Sequence, residues 1–506
     1  MGDAVSEIMT STAGSGDAAS PFLIRAADLV GCRFRLRQRF DHPDYPAPPD
    51  AVARQEQVEA GREAVLRALP APGAGFARVD IAPGRDPEQA ERATREAMGT
   101  GAHVITGGVL TGRVGGVDVV SEVDILVRVG RGRYAPVMVS NHRVARASTS
   151  GSARFVPTSR LGRGAPVETG ARLRHHTVDG YRLALAHLLL GELADGRAGL
   201  VGQDRTRAYV LEPARFVPAL LSALRVPVPE EPRRVKQCAS CRFWPLCEPR
   251  LCELDEISLV LPGGRADGLR QRGIDTVQSL IDAHVGEPSD LARAWRAGIP
   301  VLKRTGAPSR VPRADVEIDI DMEAYLDQGA YLWGAYDGEV YRAFVTWQEV
   351  GGAAEEANFA AFWEWLMSTR SRARAEGRTF AAYCYAAGGE NYWMKSSARR
   401  FGGVDEDEVA AFIASEEWVD VFAYVRRELV GTDGLGLKVL GPVVGYEWDD
   451  DGIDGERSVA LRRAARLGDE EAREQLLRYN EGDCKATRAV RQFLAAGAPG
   501  VPLIGA

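Results

Sequence analysis

Three observations predict an α/β protein built from more than one domain. Strand-like and helix-like runs alternate in both halves of the sequence. The pattern restarts after a stretch at 307–313 that holds two prolines. The chain has 506 residues, enough for about two to four domains with full cores. No apolar run reaches the ~20 residues that a membrane-spanning helix needs.

The elements follow in order. Residues 1–20 are small, polar and slightly acidic, without the basic start or apolar stretch of a signal peptide, and read as a disordered leader. Residues 21–252 read as one α/β unit. In it a helical stretch, QEQVEAGREAVLRAL, precedes the strand-like runs AHVITGGVLTG, VSEVDILVRVG and YAPVMVSNH. Gly/Ser/Arg-rich sequence over 147–166 is expected to be an exposed loop, and DGYRLALAHLLLGELA a helix. Residues 253–305 read as a smaller helical connector. Residues 306–506 form the last domain. There VEIDIDMEAY and GAYLWGAYDGEVYRAFVTW are strands, NFAAFWEWLMSTRSRAR is a helix and TFAAYCYA is a further strand. Long helices follow, ending in DEEAREQLLRYNEGDCKATRAVRQFLA.

Composition narrows the setting. Seven cysteines, an odd number in a long chain, argue against a secreted disulfide framework and for the reducing cytoplasm. A net charge of −7 does not advertise a nucleic-acid binder. The charge is uneven, however. Arg33, Arg35, Arg37 and Arg39 follow Cys32, further arginines run from Arg128 through Arg174, and the last third is acid-rich. A basic front and an acidic rear suit a protein that holds a polyanion and cuts it with metals; a solvated arginine face explains the front equally simply.

Two clusters carry chemistry. Cys238, Cys241 and Cys247 have the spacing C-x2-C-x5-C in QCASCRFWPLCEP, and Cys32 stands alone near the start. Closely spaced thiolates present themselves to one metal centre, and four complete a tetrahedral shell. In VEIDIDMEAY, Glu317, Asp319, Asp321 and Glu323 alternate with Val316, Ile318, Ile320 and Met322. Residues two apart on a strand share a face, so one face is apolar and the other is a ladder of carboxylates. Crowded like charges repel, and divalent cations would resolve the conflict; a solvent-facing edge strand is the alternative. Near the far end, Tyr479 and Asp483 lie one helical turn apart and project from one face. A carboxylate-rich site favours hard cations, Mg2+ or Mn2+.

The cysteine pattern resembles the iron–sulfur nucleases of the RecB-like superfamily, namely the nuclease domain of AddB and the CRISPR-associated iron–sulfur exonucleases. The resemblance implies a restriction-endonuclease-type core with a [4Fe–4S] cluster on Cys32, Cys238, Cys241 and Cys247. A zinc site and unrelated buried thiols remain the alternatives. Asp124 matches that family's first acid, with Glu63 a contributor upstream. The acid-x-Lys expected on the next strand is missing. The sequence there reads Met138-Val139-Ser140, with Asn141 or His142 as improvised substitutes. This departure implies a degenerate nuclease domain that holds nucleic acid. Gly263, Gly264, Gly273 and Ile274 resemble a helix–hairpin–helix element, with an ordinary glycine-turned helical connector as the alternative.

Asp321-Met322-Glu323 and Tyr479-x3-Asp483 are similar to the first and last motifs of the DEDD exonucleases, which have an RNase H-like fold. The resemblance implies two metals held by Asp321, Glu323 and Asp483, with Tyr479 orienting the attacking water. For the remaining carboxylate, where the family usually has Asp, Glu390 is the first choice and Asp420 the second. GLGLKVLGPVVGYEW, with Lys438, is similar to RNase H-like domains fused to RecB-like nucleases. Together these resemblances imply a cytoplasmic, metal-dependent exonuclease acting on single-stranded DNA, with a helicase or repair complex as partner and no membrane. RNA as the substrate, and a non-catalytic nucleic-acid-binding subunit of a repair or defence complex, are the other readings.

Overall fold

The computed structural model describes residues 23–130, 132–148, 150–307, 309–325, 328–449 and 455–505. The leader expected over 1–20 lies outside the described residues. The chain divides into two compact units between Leu254 and Asp255.

The first unit is built on a mixed sheet. Its strands are β1 (Ile24–Arg25), β2 (Arg78–Asp80), β3 (Val104–Val114), β4 (Val117–Val129) and β5 (Arg133–Val139), followed by β7 (Ala153–Pro157), β8 (Val167–Thr169), β10 (Ala198–Val201) and β11 (Arg207–Leu211). They run in the order β2-β3-β4-β5-β10-β11-β7-β8, with β1 beside β4. β6 (Ala145–Ala147) and β9 (Ala171–Leu173) pair as a separate ribbon. The helices are α1 (Phe34–Asp41), α2 (Pro49–Ala68), α3 (Pro87–Gly99), α4 (Thr177–Leu190), α5 (Val217–Arg225) and α6 (Trp244–Glu253). The apolar run of β4 is continuous because both faces are covered. Leu126 packs with Leu183 and Ala186 of α4, while Ile125 and Val127 pack with Val65 of α2 and Leu69 just beyond it.

The stretch expected to be a loop over 147–166 contains β7, which pairs with β11 and β8. Its apolar signal is short, but Phe155 lies opposite Tyr209 across the ladder with ring centroids 6.0 Å apart, and that contact anchors the strand.

The second unit begins with the short helices α7 (Asp267–Arg270), α8 (Val277–Asp282) and α9 (Glu287–Arg296). Gly273, at φ +78°, ends the α7 turn, and the Ile274 N–H reaches the Leu269 carbonyl at 3.1 Å. That is the left-handed cap for which glycine is suited. The segment read as a connector ends in β12 (Val301–Lys303), which pairs antiparallel with β18 (Leu429–Gly431).

A five-stranded sheet follows, in the order β15-β14-β13-β16-β17. Its strands are β13 (Val316–Tyr325), β14 (Gly329–Tyr336), β15 (Tyr341–Val345), β16 (Phe380–Cys384) and β17 (Trp418–Asp420). β13, β14 and β15 are antiparallel, whereas β16 is parallel to β13 and β17 to β16. The helices are α10 (Ala353–Ala375), α11 (Gly388–Phe401), α12 (Glu406–Ile413), α13 (Val421–Glu428), α14 (Leu437–Val443), α15 (Gly455–Arg466) and α16 (Glu470–Ala495). The apolar face of β13, through Ile318 and Ile320, packs with Phe362 and Leu366 of α10. The opposite face, which carries the acids, meets α16.

Candidate active site

The carboxylate ladder of β13 divides into two halves with different partners. Arg491 of α16 bonds Asp319 through Nε (2.6 Å) and Nη2 (2.9 Å), and Glu317 through Nη1 (2.8 Å). Arg488 adds a bond of 3.0 Å to Asp319. Burial by itself would raise the Glu317 carboxyl, but hydrogen bonds from Arg313 and Arg491 outweigh it and hold the group at about 2. This half of the ladder is a buried, neutralised ion network.

Asp321 and Glu323 have no such arginines among their described partners. One oxygen of each, with one of Asp483, lies within 4.8 Å of the others. Burial, then Asp483, Glu323 and Glu390, push the Asp321 carboxyl well above its ordinary range. Burial, then Asp483 and Glu390, push Glu323 up to about 8. Burial raises Asp483, against the pull of Lys438 and of hydrogen bonds from Trp448 and Tyr479. Three hard oxygen donors brought this close, with Lys438 the cation acting on Asp483, fit a divalent metal such as Mg2+ or Mn2+.

The cluster is held from several sides. Asn480 donates from Nδ2 to Asp321 at 2.7 Å and accepts from the Tyr341 hydroxyl at 2.8 Å. Gly334, opposite Asp321 on β14, leaves the room that Asn480 fills; a Cβ there would overlap the Asn480 Oδ1. The Trp448 indole N–H donates to Asp483 at 2.8 Å. Its ring lies where Gly441 and Gly482 lack side chains, and a Cβ on Gly482 would come within 2.6 Å of the Trp448 Cδ1. The Lys438 Nζ sits 3.8 Å from the Trp448 ring centroid and 4.9 Å from that of Tyr479. Asn480 lies three residues before Asp483 and so shares its face; that spacing was a signal in the sequence, and Trp448 closes the segment GLGLKVLGPVVGYEW, whereas Gly334 left none.

The remaining candidates occupy different roles. Glu390 stands in the first turn of α11, buried, just after β16. Burial and then Asp420 push it up to about 7, and its charge in turn raises Asp321 and Glu323. It is therefore a neighbour of the three clustered carboxylates and not a solvated loop acid. Asp420 caps α13. Its Oδ1 accepts from the N–H of Phe422 at 3.0 Å and of Ala386 at 3.1 Å. Backbone capping employs one oxygen of this second-choice carboxylate, and its charge raises Glu390.

In the first unit, Cys32, Cys238, Cys241 and Cys247 line one pocket together with Arg35, Gln38, Phe243 and Trp244. The Val235 N–H donates to the Cys238 Sγ at 3.3 Å, and Gln38 Nε2 to the Cys247 Sγ at 3.7 Å. Burial, then Cys32, Cys241 and Cys238, push the Cys247 thiol up to about 12. Cys252 is exposed and stands outside the pocket, while Cys384 and Cys484 are buried in the second unit. Among the described residues these thiols form no group of three candidate metal-ligand atoms, so the pocket shows no assembled cluster site.

Asp124 is buried on β4 with its charge already matched. It accepts from the Val139 N–H at 2.7 Å and pairs with Arg182 at 2.9 Å and Arg62 at 3.1 Å. Glu63, expected to contribute beside it, is instead exposed and pairs with Arg67 at 3.4 Å. On a helix the neighbouring position points elsewhere, and Arg62 takes the inward place. Asn141 accepts from Arg205, and His142 stacks on His176 at 3.6 Å. Tyr181 packs among Leu36, Leu185 and Phe216 as core.

Residues 319–495 match the sequence model of the RNase_H superfamily. No curated protein matches the chain. Among solved structures, the crystal structure of SSO0001 is similar at 14% identity with a TM-score of 0.23, over 49% of this chain and 94% of that one. A likeness at that score assigns no fold. No helix among the described residues is long and apolar enough to cross a membrane. The superfamily match opens two residues before Asp321 and runs past Asp483, so the second unit carries an RNase H-like domain that contains all three clustered carboxylates, a setting that fits a nuclease.

Proposed function

We propose that the chain is a metal-dependent nuclease that digests single-stranded DNA from an end, with catalysis in the RNase H-like domain. The observation that carries the reading is the convergence of Asp321, Glu323 and Asp483, with all three carboxyls raised by burial and those of Asp321 and Glu323 raised further by the neighbouring acids. Asp321, Glu323 and Asp483 would hold Mg2+ or Mn2+, with Glu390 alongside. Divalent ions bound there would activate water and stabilise the leaving oxygen of a phosphodiester. Asn480 and Trp448 fix the orientation of Asp321 and Asp483 through their hydrogen bonds. Tyr479, one turn before Asp483 and hydrogen-bonded to it, would hold the attacking water, and Lys438 is a cation beside the cluster.

The test is Mn2+-dependent degradation of end-labelled single-stranded DNA, with a matched RNA strand, by the wild type and by Asp483→Ala. Digestion by the wild type alone supports the reading, and preference between the strands assigns DNA or RNA. Activity surviving in the variant moves the chemistry to the first unit. No activity on either polymer makes the chain a nucleic-acid-binding subunit.

For the first unit the same reading is a RecB-like scaffold that holds nucleic acid and does not cut it, because Arg62 and Arg182 already neutralise Asp124. A [4Fe–4S] cluster on Cys32, Cys238, Cys241 and Cys247 belongs to the same reading, carried by the C-x2-C-x5-C spacing and by the one pocket that all four line; a zinc site is the alternative. Such a cluster would tie the start of the unit to its end. Brown protein with broad absorbance near ~400 nm, lost in Cys247→Ser, is the expected result; colourless protein with stoichiometric zinc refutes it. A cytoplasmic setting and a helicase or repair complex as partner belong to this reading.

A further inference from the structure

Between residues 143 and 174 the chain carries seven arginines against one carboxylate, Glu168, although its net charge is −7. All seven arginines are exposed. The segment doubles back on itself, with β6 pairing antiparallel to β9 and β7 to β8. Backbone hydrogen bonds knit the two stretches between and beyond the strands, Ser148 N–H to Gly170 O at 3.0 Å and Arg174 N–H to Val144 O at 2.8 Å. Gly151 lets the chains close up, since a Cβ there would lie 2.6 Å from the Ala171 carbonyl oxygen. The paired strands set the directions of the side chains that they carry.

The charge on this arm is poorly explained by the fold. Arg146 and Arg172 are directly opposed across the β6–β9 ladder, where like charges repel and weaken pairing. Among the described residues, Arg146, Arg172 and Arg174 make no side-chain ion pair. Only Arg154, opposite Glu168 on β8, has an acid facing it across a strand pair. Guanidinium groups bind phosphate oxygens in a bidentate fork, and a polyanion laid along the ladder would turn the repulsion into attraction.

We propose that this arm is a docking track for the phosphodiester backbone of a nucleic-acid strand, held by charge and independent of base sequence. It deepens the nuclease reading and rests on that reading for the identity of the polyanion.

The experiment is fluorescence anisotropy of the full chain with labelled ~20-nucleotide DNA and RNA strands, in EDTA, across a salt series. The triple variant R146A/R172A/R174A is expected to bind at least about tenfold more weakly, with the salt slope reduced by about 2, near 0.7 for each lost contact on a single strand. The triple lysine variant should retain the slope. Arg146→Ala alone, which relieves a repulsion and so keeps the fold, should lower the slope by about 0.7. Arg399→Ala, an exposed arginine paired with Glu406 elsewhere, should change neither. Unchanged affinity and slope in the alanine variants overturn the proposal, as does a loss of affinity without a change in slope. Digestion by a wild type whose arm variants bind normally removes the arm and leaves the nuclease. Arm-dependent binding without digestion does the reverse.

Discussion

Replacing Asp483 by Asn should make the metal-free protein more stable at alkaline pH while abolishing its activity. The substitution keeps an oxygen for the Trp448 indole N–H and removes only the charge. That charge lies within 4.8 Å of oxygens on Asp321 and Glu323. At this separation and an effective dielectric of about 20, each like-charge pair costs about 3 kcal/mol, reduced by relaxation and salt to about 2. The sign depends on pH. Glu390 and Glu323 are pushed up to about 7 and about 8, whereas in the unfolded chain they ionise near ~4.3. Folded protein therefore binds protons that the unfolded chain has released, and the metal-free wild type loses stability as pH rises from ~5 to ~8. At pH 5 the substitution should be nearly neutral. At pH 8.5 the two relieved repulsions, about 4 kcal/mol together, less about 2 kcal/mol for the lost attraction of Lys438, should stabilise by about 2 kcal/mol, or about 4–8 °C in melting temperature for a unit of this size. The assay is thermal melting in EDTA at the two pH values, repeated with Mg2+, which should raise the wild type and not the variant. Equal destabilisation by the variant at both pH values would refute the argument, because Asp483 would then be a structural anchor and not a repelled ligand.

Three further outcomes follow from the same geometry. Apparent Mn2+ affinity should climb with pH through 7 and 8, where Glu390 and Glu323 release protons, and calorimetry in buffers of different ionisation enthalpy should register proton release on binding. Gly334→Ala should drive Asn480 away from Asp321 and lower turnover by at least about tenfold with little change in circular dichroism. Arg491→Leu should leave Glu317 and Asp319 buried without their shared guanidinium and destabilise by about 3–5 kcal/mol at pH 7 in urea melts. Because Glu317 is held at about 2, its share of that stability is full above its ordinary ~4.3 and fades as pH falls towards 2, so the variant's deficit should narrow in acid.

The sequence by itself determined the local pieces of the site. The period-2 alternation of VEIDIDMEAY placed four acids on one face of a strand, and β13 has that form. The four-residue step from Tyr479 to Asp483 placed both on one face of a helix, now α16. The spacing of Cys238, Cys241 and Cys247 likewise put three thiols in a short segment. Each of these is a property of neighbouring residues and needs no partner to be read.

Tertiary structure decided which of those residues are free. From Asp483 to Arg491 α16 advances about 12 Å, and from Asp321 back to Glu317 β13 covers about 13 Å. With the helix antiparallel to the strand, one end of the ladder meets arginine and the other meets a third carboxylate. Nothing local separates Asp319 from Asp321; the register of a helix some 160 residues away does. The same holds for Asp124, which reads as a metal ligand until Arg62 and Arg182 close on it from two different helices. Charge acts through space at a few ångströms, so a carboxylate's fate is fixed by what the fold brings beside it, and that information is spread over the whole chain.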